Sequence, residues 1–157
     1  MTTTAPLSPR ARALDLGVLT LAVAGLAVDA WVHADLASRY DVISANVSQG
    51  TLFRLEAAMA ALAALLLIIW RGRLSAAFAF LVSAGGLALL LIYRYHNVGA
   101  FGPFPNMYEP LWYGRKWLTA VAQAVAAVAS LYLLLVPRTG GAGLIPARKG
   151  HGRHRVE

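Results

Sequence analysis

The sequence predicts an all-α membrane protein, a four-transmembrane-helix antiparallel bundle with both termini in the cytoplasm. Three observations carry that expectation. Hydrophobic residues make up 59% of the 157-residue chain and charged residues only 13%, whereas soluble domains run at roughly 45–50% and 25%. The apolar residues fall in four runs, each near the ~20 residues that a helix needs to cross the hydrocarbon core. Arg and Lys are spread unevenly over the connecting segments, which sets orientation.

Residues 1–12 are polar and proline-containing, with Arg10 and Arg12 at their end, and read as a disordered cytoplasmic N-terminus. The membrane domain is expected over residues 13–136. Its first span covers residues 14–32 and is interrupted only by Asp15 and Asp29. Ala22-Val23-Ala24 resembles a signal-peptide cleavage site, but the next apolar run follows soon after, which favours a span. The second span covers residues 52–70, with Arg54 and Glu56 in its first turns, the third 74–95 and the fourth 117–136. The tight turn Arg71-Gly72-Arg73 makes the second and third spans antiparallel neighbours. Alanine stripes in the second and fourth spans, and Ser83-Ala84-Gly85-Gly86 in the third, read as close helix packing. Residues 137–157 read as a basic disordered cytoplasmic tail that touches anionic lipid.

Orientation follows from the basic residues. Arg10, Arg12, Arg71, Arg73, Arg138, Arg148, Lys149, Arg153 and Arg155 lie on one side, and Arg39, Arg54, Arg94, Arg115 and Lys116 on the other. The nine-to-five excess puts the first side in the cytoplasm. The net charge of +7 is therefore read as topology and lipid contact, with no nucleic acid expected. Twelve Arg against two Lys, with abundant Ala, points to a bacterial cytoplasmic membrane. The chain has no cysteine, which excludes disulfides, thiol chemistry and covalent c-type haem attachment.

The segment from Asn97 to Lys116 carries Phe101, Phe104, Tyr108, Trp112 and Tyr113 among three prolines. It reads either as an aromatic belt or as a lid folded over the outer mouth of the bundle.

Ionisable residues inside spans are costly, so each is a candidate site. Asp29 and His33 are four residues apart and share a helix face, and Tyr40 returns to that face if the helix continues. Glu56 and His96 are expected at the same outer depth, with Glu109 above them. Asp29, His33, Glu56, His96 and Glu109 thus form a candidate ligand layer. Asp29, His33 and His96 are the candidate ligands for a divalent metal such as zinc. His33 and His96 are also the candidate axial pair for a b-type haem, with quinone as the related alternative. The structural reading of the same layer is ion pairing, with Asp29, Glu56 and Asp35 satisfying Arg54, Arg94 and Arg39. Tyr93-Arg94-Tyr95-His96 reads as an interfacial anchor or a hold for an anionic ligand, and Gln123 as an interhelical hydrogen bond.

His33, Leu36 and Tyr40, the run Gly50-Thr51-Leu52-Phe53-Arg54-Leu55-Glu56, and Gly99-Ala100-Phe101-Gly102 with Glu109 carry a resemblance. With these motifs the chain resembles a loose group of small, mostly uncharacterised four-helix integral membrane proteins of actinobacterial type, over most of residues 14–136. In outline it also resembles the DoxX-like proteins. The resemblance implies the four-helix fold and no particular activity. The functional expectation is a non-enzymatic accessory or oligomeric membrane subunit, alone or in a larger complex. A metal-, haem- or quinone-binding redox protein is the second class and a small transporter the third.

Overall fold

A computed structural model describes residues 8–136. Four helices follow one another: α1 (Pro9–Ala37), α2 (Gln49–Ile69), α3 (Arg73–Tyr95) and α4 (Gly114–Leu135), with a 3-10 turn at Ser38–Tyr40. Among the described residues there is no strand, and all four helices are long and apolar enough to cross a membrane. The readings placed on residues 1–7 and on the basic tail 137–157 lie outside the described residues.

Each helix starts or stops where local chemistry dictates. Ser8 caps α1 by accepting from the Ala11 amide, and Pro9 occupies the first helical position, where its missing N–H costs nothing. Residues 9–12, expected in the disordered terminus, are therefore helical. At its other end α1 runs past Val32 to Ala37. The apolar run ends at Val32, but His33 lies against the bundle, so the helix has no reason to stop there. Ser48 caps α2 through the Thr51 amide at 3.0 Å. The α2–α3 turn is so short that Arg71 takes a left-handed backbone, φ 43°.

The helices form a four-cornered bundle with α1 beside α2 and α4, and α3 beside α2 and α4. The α1–α2 and α1–α4 contacts are extensive, and the α2–α3 contact is the slightest of the four. The core is built from small residues with a few leucines, among them Ala22, Leu26, Ala60, Leu67, Ala79 and Leu133. Gly25 marks the closest approach. A Cβ there would lie 2.7 Å from the Ala122 backbone carbonyl and 3.0 Å from the Ala126 methyl, so α1 and α4 touch through backbone. The outward faces are as apolar as the core. Leu65, Leu81, Val121 and Val128 are half-exposed or more, Val128 by 71%. A lipid exterior accommodates that surface and water does not.

One end of the bundle carries the short α2–α3 turn. The other, the loop end, carries residues 38–48 and 96–113. These two connections are tied together, since the Val47 amide donates to the Pro103 carbonyl at 3.1 Å. Phe101 and Phe104 close a turn by exchanging backbone hydrogen bonds, with Gly99 and Gly102 at positive φ. The Glu109 amide donates to the Tyr93 carbonyl at 3.1 Å, which pins the segment onto the end of α3. The aromatic segment is thus a folded cover.

Candidate functional site

Beneath that cover, between α2 and α3, lies a cavity of about 400 Å³. Leucines form its walls, including Leu36, Leu52, Leu55, Leu89 and Leu90. Phe104, Met107 and Glu109 from the cover, with Tyr113 and Lys116 at the start of α4, line its mouth. His33, Glu56, Gly86 and Thr119 line its inner wall. Leu55 and Leu89 are 59% and 55% exposed on the outside of the bundle, so the cavity reaches the lipid-facing surface through the loosely packed α2–α3 seam.

Asp29 lies behind His33 and is wholly buried. His33 Nδ1 sits 3.1 Å from the Asp29 carbonyl oxygen and 3.0 Å from its carboxylate Oδ1. The carbonyl contact has hydrogen-bond geometry, and the carboxylate contact is electrostatic, since neither Asp29 carboxylate oxygen receives a hydrogen bond. Phe53 holds the imidazole from the other side, its ring edge-on at 5.1 Å between centroids. Asp29 is therefore held inside the bundle beside His33, where its carboxylate cannot snorkel to the interface. Glu56 lies near this pair, with Oε1 buried and without a donor. Gly86 makes room: a Cβ on it would stand 2.6 Å from Glu56 Oε1 and collide with Gln123 Nε2. Gln123 and Thr119 are both buried, and Gln123 Oε1 and the Thr119 hydroxyl have no hydrogen-bond partner.

A second polar group closes the mouth. The Tyr40 hydroxyl donates to the Glu109 carboxylate at 3.0 Å and lies 2.9 Å from the Tyr113 hydroxyl. Lys116 Nζ donates to the Glu109 carbonyl at 2.6 Å and approaches its carboxylate at 3.3 Å. Burial and the Glu109 carboxylate push the Tyr113 hydroxyl above its ordinary pKa, so it stays protonated. Tyr40 does return to the His33 side of the first helix, where it packs on Phe53 at 4.9 Å.

Several expectations are corrected. Arg54 grips Asp41 with two hydrogen bonds, at 2.8 and 2.7 Å, because residues two apart on a helix point to different sides and Glu56 takes the inward one. The Arg54 guanidinium holds the Asp41 carboxyl below the usual carboxylate range. Asp35 pairs with Arg115 at 3.2 Å. Arg94 meets no carboxylate of the layer; its guanidinium lies 5.0 Å over the Tyr95 ring and 5.5 Å over Trp112. The reason is depth. Glu56 lies seven residues inside the loop end of α2, roughly 10 Å along the axis, whereas Arg94 and His96 sit at the end of α3. His96 is exposed at the rim and does not line the cavity. It therefore joins His33 neither as a metal ligand nor as a haem axial pair, and among the described residues no group of three His, Asp or Glu is arranged to hold a metal ion.

The sequence reading missed the roles of Gly86 and Thr119. Thr119 and Gln123 stand four apart on one face of α4, which is a legible signal, and Gly86 is legible only once its neighbours are known. No protein-family profile, curated protein or solved structure matches this chain.

Proposed function

We propose that this multi-pass membrane protein binds a small amphiphile taken from the bilayer, and that binding rather than turnover is its role. The amphiphile passes between α2 and α3, lays its apolar body against the leucine walls and turns its polar head toward His33, Glu56 and Thr119. The observation that carries this reading is the cavity itself. A volume of about 400 Å³ falls in the range of small-molecule sites, and leucine walls around a few convergent polar groups are the usual make-up of such sites. Ionisable groups inside a span are costly and mark binding or transport paths. We place the protein in a bacterial cytoplasmic membrane with the loop end outward, so the cavity lies in the outer leaflet. A role as an accessory or oligomeric subunit is compatible with this, the amphiphile then being its cargo or its ligand.

The test is what the protein carries. Native mass spectrometry of the chain released from membranes should show a bound amphiphile, and Leu90→Trp, which fills the cavity, should lose it while keeping helicity. Retention of the same species by Leu90→Trp, or no bound species under any mild extraction, would sink the reading.

A further inference from the structure

The unpartnered polar atoms on the inner wall of the cavity and just behind it are carboxylate and amide oxygens and one hydroxyl, and we infer that the amphiphile it takes is a protonated amine. This rests on the binding reading above and specifies its ligand. Asp29, behind the cavity wall, is 0% exposed; its Oδ1 pairs with His33 Nδ1 at 3.0 Å, and neither carboxylate oxygen receives a hydrogen bond. Glu56 Oε1 and Gln123 Oε1 are buried and lack a donor. Thr119 is 3% exposed, lines the cavity, and its hydroxyl has no partner. Buried polar groups in folded proteins are nearly always satisfied, and those that are not point to an unseen partner.

The charges lean the same way. The inner wall and the layer behind it hold two carboxylates, Asp29 and Glu56, and one imidazole, His33. With both carboxylates ionised, even an imidazolium leaves one negative charge over, which must be met by a proton or by a cationic ligand. Of the other cations at this end, Lys116 is bound to Glu109 at the mouth, and Arg94 lies over Tyr95 and Trp112 at the rim and does not line the cavity. A carboxylate surrounded by leucines and without a counter-charge is unfavourable. An ammonium head brings one positive charge and three N–H donors, which suits Glu56 and Thr119 together. An alcohol brings one donor and no charge. A carboxylate head meets acceptors and like charge. Gly86 keeps the space between Glu56 and Gln123 open, since a Cβ there would stand 2.6 Å from Glu56 Oε1.

The experiment uses the full chain in zwitterionic nanodiscs and three ligands of one tail length: dodecylamine, dodecanol and dodecanoate. Affinity is read from ligand-dependent thermal stabilisation, corrected for partition into empty discs. Dodecylamine is expected to bind about ten-fold tighter than dodecanol, and dodecanoate not to stabilise. Glu56→Gln should bring the amine-to-alcohol ratio down to roughly one while dodecanol still binds. Thr119→Val removes the hydroxyl without changing shape and should weaken the amine more than the alcohol; it serves if Glu56→Gln does not fold. Equal binding of amine and alcohol, or a preference for dodecanoate, overturns the amine assignment and leaves the cavity reading in place. Failure of all three ligands to stabilise the protein, with Leu90→Trp indistinguishable from wild type, overturns both.

Discussion

At the scale of single residues, the smallest side chains set the geometry and the few charged ones occupy the space that results. Gly25 lets the backbone of α1 come against that of α4, and in lipid such close packing replaces the hydrophobic drive that would hold helices together in water. Gly25→Ala should therefore destabilise the bundle by about 1–3 kcal/mol, the usual cost of overpacking, because its new methyl meets a backbone carbonyl that cannot turn aside. Gly17→Ala and Gly85→Ala meet nothing within 4 Å and should be neutral or stabilising by up to ~1 kcal/mol through helix propensity. Unfolding in mixed micelles measures all three. Equal effects at the three positions would remove close approach as the explanation. The sequence announced Asp29 and His33 as a pair, because four-residue spacing is a property of one helix. It misassigned Arg94, because that pairing depends on where two helices stand along their axes, and a list of residues carries no such register.

At the scale of elements, the two loop-end connections and the start of α4 act as one cover. The tie between Val47 and Pro103, the pin between Glu109 and Tyr93, and the cluster of Tyr40, Tyr113, Lys116 and Glu109 hold it on the bundle. Gly50 belongs to the same joint: a Cβ on it would strike the Ala37 carbonyl and the Asp41 carboxylate, so α1 and α2 meet there through backbone. Each hydrogen bond of the cluster contributes about 0.5–1.5 kcal/mol net, more where a charge takes part. Tyr40→Phe combined with Tyr113→Phe should leave the helices intact and loosen the cover, speeding proteolysis near Gly102 several-fold. Unchanged cleavage would show that the backbone ties alone hold the segment. The four spans were legible in the sequence because apolar length is a direct requirement of the bilayer. The cover was legible as a choice between belt and lid, and only its backbone hydrogen bonds decided in favour of the lid. The cavity was not legible, because it arises from the slight packing of α2 against α3, a property of two surfaces together.

At the scale of the whole molecule, the bundle is asymmetric from end to end, and that asymmetry bears on orientation. The loop end holds the cavity, the cover and five of the six acidic residues among the described residues; three of its five cations, Arg54, Arg115 and Lys116, are paired with Asp41, Asp35 and Glu109. The turn end carries Arg71 and Arg73 in a connection too short to hold anything else, with Arg73 donating to the Leu134 carbonyl at 3.2 Å. Insertion counts Arg and Lys in short connecting segments and largely disregards Asp and Glu. By that count the turn-end side of the chain leads nine to five. An even number of spans keeps both termini on the side of the Arg71–Arg73 turn, and the orientation proposed above puts that side in the cytoplasm. A fluorescent-protein fusion at either terminus should glow and an alkaline phosphatase fusion there should be inactive. A phosphatase inserted after Gly102 should be active. Changing Arg71 and Arg73 to Ala should by itself lower the bias without reversing it, because the terminal arginines remain. An active phosphatase at the C-terminus of the unaltered chain would turn the bundle over, placing the cavity in the inner leaflet, where an amine would have to arrive from the cytoplasmic side.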